Sequence, residues 1–156
     1  MRTTLFSAKA EYACIAMLEL AAQYGDSQPV RLKSIADAHE IPDRFLVQIL
    51  LQLKGAGLVV SARGAAGGYL LARSPEQITV ADIVGVIDRH DRSDRSDGDR
   101  KKPAPKIDNM PQTTAVQAVR GLWRDVEIAQ RQILEQTTLA DLVRRTQESF
   151  ALSYNI

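Results

Sequence analysis

The chain has 156 residues, 45% hydrophobic and 25% charged, with a net charge of +1 and a single cysteine, Cys14. That length holds one domain with a real core plus an appended element, in the proportions of a globular protein. A disulfide framework within one chain is excluded, and no apolar run approaches the ~20 residues that span a bilayer, so no membrane partner is expected. Met1 to Phe6 lacks the apolar core of a signal peptide, which makes the cytoplasm the expected location.

In chain order, Ser7 to Tyr24 predicts a helix with Ser7 as N-cap and Tyr12, Ile15, Ala16, Leu18 and Ala22 in helical rhythm against Glu11, Glu19 and Gln23. Cys14 reads as a small thiol among apolar neighbours rather than a redox sensor. Leu32, Ile35, Ala36 and Ala38 predict a short second helix ending near His39. Pro42 disfavours helix in the residue before it yet suits a first turn, so it restarts the chain into a third helix. There Phe45, Leu46, Ile49, Leu50 and Leu53 make one apolar stripe, and Gly55 and Gly57 stop it. Leu58-Val59-Val60 and Tyr69-Leu70-Leu71 read as strands joined by SARGAAGG, a turn whose glycines admit positive φ.

Two short helices at a sharp turn followed by a hairpin make a winged helix-turn-helix, mainly α with a small β-hairpin wing. In that arrangement the second of the two helices fits a DNA major groove while the wing reaches over phosphate or into the minor groove. The residues expected to face double-stranded DNA are Asp43, Arg44, Phe45, Val47 and Gln48 on the helix, with Lys33, Lys54, Ser61, Arg63 and Gly64 at phosphate or groove. The net charge is no guide, because such a surface needs only a local basic patch, and Arg31, Lys33, Arg44, Lys54 and Arg63 supply one.

After the wing, Ser74 to Gln77 is a loop, and Thr79 with Asp82 is a capping-box start for a helix through about Asp88. Residues 1–87 thus form the DNA-binding domain. Residues 88–112, with interleaved charges, Ser, Gly and several prolines, read as a polar flexible linker rather than a nucleic-acid arm built on Arg100-Lys101-Lys102 and Lys106. Residues 113–156 hold a long helix to about Gln136 and a capped last helix from Thr138-Leu139-Ala140-Asp141 to about Phe150. In the long helix Val116, Val119, Trp123, Val126 and Ile133 step by three and four, with Gln130 at the step that should be apolar. Leu122, Ala129 and Leu134 widen this coiled-coil-like seam. A seam needs a partner, and a second copy is favoured, because a symmetric dimer sets two reading heads on the halves of a pseudo-palindromic operator.

Lys9, Tyr12-Ala13, Ile35-Ala36, Ile41-Pro42, Phe45-Leu46, Gln48-Ile49-Leu50, Ala56-Gly57-Leu58-Val59, Arg63-Gly64, Gly67-Gly68-Tyr69 and Leu71-Ala72-Arg73 together resemble the Rrf-two (Rrf2) family of bacterial transcriptional regulators. The likeness is dense through residue 87 and extends to Leu122-Trp123 and Thr138 to Leu142. It implies a homodimeric DNA-binding regulator, most simply a repressor. Many relatives carry an iron-sulfur cluster on three cysteines, which this chain lacks; Arg120 stands where some carry a histidine ligand. Glu11 and His39 align with two ligands of another cluster arrangement, but Ile15 replaces its second histidine and the linker cysteine is missing. No cofactor is therefore expected, and a labile metal on Glu11 and His39 is the metal or redox-sensor alternative. The other alternative is an interaction module whose helices dock a partner enzyme. Where the family often has Tyr-Leu-Glu-Gln, this chain has Phe45-Leu46-Val47-Gln48, so the operator should differ. Two histidines and one cysteine give no nucleophile-base constellation, and no enzyme is expected.

Overall fold

The computed structural model describes residues 6–26, 28–65, 67–94 and 109–154. Among these the order is helix α1 (Ala8–Ala22), α2 (Leu32–His39), α3 (Asp43–Gly55), strands β1 (Val59–Ala62) and β2 (Gly68–Leu71), a single turn of 3-10 helix (Pro75–Gln77), then α4 (Val80–Asp94), α5 (Thr114–Gln136) and α6 (Leu139–Tyr154). None of the described helices is long and apolar enough to cross a membrane.

Ser7 caps α1 as expected, its Oγ accepting from the Ala10 N–H at 3.2 Å. The face α1 buries, however, is Ala10, Ala13, Ala16, Met17, Leu20 and Ala21, and of the expected set only Ala16 is fully enclosed. Tyr12, Ile15 and Leu18 lie half-buried at the flanks and Ala22 is exposed. Small side chains let α1 lie close against α3, α4 and α6, so the alanines form the contact and the bulkier residues fill its margins.

The sharp turn after α2 is made by Glu40 in the left-handed region (φ 53°), which leads the buried Ile41 into the core and its N–H to the Ala36 carbonyl at 3.0 Å. α3 stops where Gly57 takes φ 76°, a position that suits only glycine without strain. The hairpin is antiparallel, with Val59 opposite Leu71 and Ala62 opposite Gly68. β1 starts one residue later than its apolar run suggests and extends to Ala62, and β2 starts one residue earlier than its run. Residues 74–77, expected as loop, wind one helical turn around the buried Pro75.

α4 overruns the expected end at Asp88 and continues to Asp94. Its apolar periodicity runs out at Ile87, so the sequence gives no inward-facing signal for the last two turns; Lys9 holds them instead, its Nζ 3.4 Å from Asp91 Oδ1. Residues 95–108 of the expected linker, including Arg100 to Lys102 and Lys106, lie outside the described residues.

One core joins these pieces: Met17, Ile35, Leu46, Ile49, Leu50, Leu53, Val59, Ile78, Ile83, Ile87 and Leu139 are fully enclosed. The expected capping box of α4 is present, Asp82 Oδ2 accepting from the Thr79 N–H at 3.0 Å and Thr79 Oγ1 from the Asp82 N–H at 3.2 Å. α6 repeats it with Thr138 and Asp141 at 2.9 and 3.1 Å. The two starts lie antiparallel, Val80 N–H bonding the Thr137 carbonyl and Leu139 N–H the Ile78 carbonyl, each at 2.9 Å. The Thr138 backbone N–H, and after it the Thr138 hydroxyl and Arg144, hold the Asp141 carboxyl below its ordinary range.

Candidate nucleic-acid interface

α3 is amphipathic by spacing. Leu46, Ile49, Leu50 and Leu53 point into the core, leaving Asp43, Arg44, Val47, Gln48, Leu51 and Lys54 outside. Phe45, expected in the inward stripe as well as at base edges, belongs only to the outer side. One position before Leu46, it sits about 100° around the helix from the stripe, and the Arg44 guanidinium lies 4.9 Å from its ring centroid. Leu51, one turn beyond Val47, is 56% exposed and was not signalled as part of this surface by the apolar run it belongs to.

The basic residues around α3 are not equally free. Lys33 lies between Asp37 at 3.1 Å and Asp43 at 3.6 Å, bridging α2 to the start of α3. The Asp37 contact, then Asp43, holds its ammonium protonated above the usual lysine range. Lys54 at the end of α3 donates to Ser61 Oγ on β1 at 2.7 Å, which fixes the wing relative to the helix. Arg31 at the start of α2 donates to the Ala65 carbonyl in the wing turn at 2.7 Å. Arg63 is exposed and makes no hydrogen bond or ion pair among the described residues, beside Gly64 at φ 109°.

A second tie holds the base of the wing. Val30 and Tyr69 exchange backbone hydrogen bonds at 2.9 and 2.8 Å, so Val30, two residues before α2, acts as a one-residue third strand. Gly68 permits it: a Cβ there would stand 2.4 Å from the Val30 carbonyl oxygen, and backbone cannot give way. Gly68→Ala is therefore expected to lose about 1–3 kcal/mol in urea unfolding, the usual cost of overpacking. Gly55→Ala, with open space around its added methyl, should be neutral or slightly stabilising. Equal stability of the two variants would show that the Val30 contact does not constrain the wing.

The metal candidates are not brought together. His39 pairs with Glu19, Nε2 to Oε1 at 2.7 Å, tying α2 to α1. Glu11 instead lies near Cys14, whose thiol is pushed up to about 11, first by burial and then by the Glu11 charge. Among the described residues no cluster of three or more His, Cys, Asp or Glu could hold a metal ion.

The seam of α5 faces mostly outward. No residue of α5 is fully buried; Val119, Trp123, Val126 and Ile133 are exposed, Trp123 to 57% and Ile133 to 64%. Val116, Gln130 and Leu134 are half-buried. Gln130, the polar interruption of the seam, thus sits with Leu134 against α4, while the apolar residues beside it are left open to solvent.

Three comparisons bear on this arrangement. Residues 6–145 match the model of the Rrf2 family, described as iron-dependent transcriptional regulators. A Mycobacterium tuberculosis chain named as a candidate HTH-type transcriptional regulator is 39% identical over 136 residues, covering 87% of this chain and 79% of the relative. The HTH-type transcriptional regulator CymR of Bacillus subtilis is 34% identical over 140 residues, 90% of each chain. Its solved structure, titled as that of the global cysteine regulator of B. subtilis, superposes with a TM-score of 0.70 over 90% of this chain and 96% of that one. IscR of T. potens does so at 0.70 with 32% identity, over 94% and 91%. These relatives are transcriptional regulators, not enzymes.

Proposed function

The chain belongs to the Rrf2 family of helix-turn-helix transcriptional regulators, and on that premise we propose that it is a homodimeric, sequence-specific DNA-binding repressor that works without an iron-sulfur cluster. The observation that carries the reading is the outer side of α3. Its polar and apolar groups, Arg44, Phe45, Val47 and Gln48, stand clear of the core, beside a wing held to the same helix by Lys54 and Ser61. Arg44 and Gln48 offer donors to purine edges, and Phe45 and Val47 an apolar surface for thymine methyls. Lys54, Ser61, Arg63 and Gly64 take the phosphates or the adjoining groove, and Asp43 with Lys33 flanks the contact. Lys33 must exchange its two carboxylate partners for a phosphate, so it contributes less than its charge suggests.

The donor set argues against a cluster. Cluster iron is held chiefly by thiolates, and this chain has one cysteine, half-buried, with its proton retained by burial. His39 is already engaged with Glu19. Dimerisation is supported by the exposed apolar arc of α5, which closed symmetry would cover on both copies at once.

Selection of genomic fragments with purified protein at two salt concentrations tests the reading. A recovered pseudo-palindrome with steep salt dependence is the expected result. Weak, sequence-independent retention would overturn it and favour a module that docks another protein. Within the complex, Arg63→Ala is expected to lose about 1–3 kcal/mol of operator affinity if the side chain reads a base, and to lower the salt slope by about one if it meets phosphate. Unchanged affinity and slope would take the wing out of the interface.

A further inference from the structure

Between α4 and α5 lies an open cleft of about 530 Å³. Three guanidinium groups line it, Arg89 and Arg92 from α4 and Arg131 from α5. Arg89 donates from Nε to the Gly85 carbonyl of its own helix at 3.1 Å, and none of the three forms an ion pair among the described residues. Two carboxylates, Asp88 and Glu127, share the lining, so three positive groups against two negative ones leave one net positive charge. The neighbouring Lys9 and Asp91 neutralise each other.

Phe6, Val84 and Leu134 form one wall of this cleft and also line a second cavity of about 300 Å³ between α1, α4 and α5. That second cavity is almost wholly apolar and open to solvent like the cleft, lined also by Ala10, Ile15 and Val80, with Cys14 and Glu11 at its side. Its volume, like that of the cleft, falls in the range of small-molecule sites, which pair an apolar chamber with a few charged groups. Surface arginines commonly make no contact at all. Here arginines from two helices line one cleft that shares a wall with an apolar cavity.

We propose that this cleft binds a small organic monocarboxylate, its carboxylate on Arg92 and Arg131 and its apolar body in the chamber behind Phe6, Val84 and Leu134. Guanidinium groups match a carboxylate with paired, charge-assisted hydrogen bonds. The single net charge of the mouth suits a monoanion better than a phosphate dianion, which would meet Asp88 and Glu127 with a second negative charge. The position gives the site leverage, since a ligand there touches α4, which continues from the winged domain, and α5, which carries the outward apolar arc. The assignment rests on the cleft itself and not on DNA recognition.

Octanoate is the probe, titrated into the full-length protein by calorimetry, with octylamine, 1-octanol and inorganic phosphate as controls. Saturable binding of octanoate at one per chain is expected, with each control about tenfold weaker or more, the scale of one lost charge-assisted contact. Arg92→Gln and Arg131→Gln, both at exposed positions where the fold is not at stake, should each weaken octanoate about tenfold. Glu127→Gln should tighten it by removing a like charge. Octanol binding as tightly as octanoate would reduce the cavity to an apolar adsorption surface and overturn the proposal. So would no saturable heat at millimolar octanoate, or unchanged affinity in both arginine variants.

Discussion

Val126→Glu is expected to turn the proposed dimer into a monomer and to weaken operator binding by about 10²–10⁴-fold, the range lost when a second, tethered binding event is removed. Val126 lies in the middle of the exposed apolar arc of α5, 45% accessible, with Trp123 one turn and Val119 two turns before it and Ile133 beyond. A two-fold axis repeats every substitution, so one carboxylate per chain becomes two facing an apolar surface, each losing hydration without a partner. Since Val126 is exposed within its own chain, the variant should keep the fold. Sedimentation equilibrium reads the mass, and DNA retention reads the affinity. Each half-site head remains intact, so weak binding to a single half-site should survive. A Val126→Glu protein that stays dimeric and retains its operator would place the interface elsewhere, with the aromatic end of α6 next in line: Phe150 and Tyr154, ring centroids 5.7 Å apart, are also exposed.

The parts of this fold that could be read from the sequence are those where one residue type has one physical use. Pro42 before an apolar stripe, Gly57 at positive φ, and the paired threonine and aspartate of two capping boxes each specify a local backbone geometry, and the structure has helix starts and stops at or beside those residues. What escaped was set by neighbours distant in the chain. The buried face of α1 is alanine, a residue equally at home on either side of a helix, and only the approach of α3 and α4 selects Ala13 and Ala16 over Ala22. The last turns of α4 are held by Lys9, 82 positions away from Asp91. For the candidate interface, residue types nominate the surface, but which cations are free depends on pairings: Arg31 is spent on the wing turn and Lys33 on two carboxylates, while Arg63 stands open. The pairing of His39 with Glu19 instead of a metal is of the same kind.

Leu139→Ala is the substitution expected to cost most in stability, about 2–5 kcal/mol as for other fully enclosed leucines, out of a total of about 5–15. α5 buries no residue completely and α6 only Leu139, so this side chain is the main apolar link between the last two helices and the core of the winged domain. Leu142 and Val143 add partly buried surface beside it. Its backbone N–H bonds the Ile78 carbonyl, and Thr137 two residues before it receives the Val80 N–H, so the side chain anchors the point where the starts of α4 and α6 cross. Alanine there leaves a cavity under both capping boxes while disturbing none of their hydrogen bonds, which separates packing from capping. Asp141→Asn makes the complementary cut. It removes a carboxylate whose ionised form is favoured by the Thr138 N–H and hydroxyl, and a carboxylate held low in the folded state stabilises above its ordinary range and ceases to do so as pH falls through the folded value. The Leu139→Ala deficit should therefore be the same at pH 7 and at about pH 3, whereas any deficit of Asp141→Asn should shrink at the lower value, which lies below the ordinary carboxylate range. Urea unfolding followed by circular dichroism at both pH values distinguishes them. A Leu139→Ala loss below about 1 kcal/mol, the scale of a surface change, would mean that α5 and α6 are held by contacts outside this crossing.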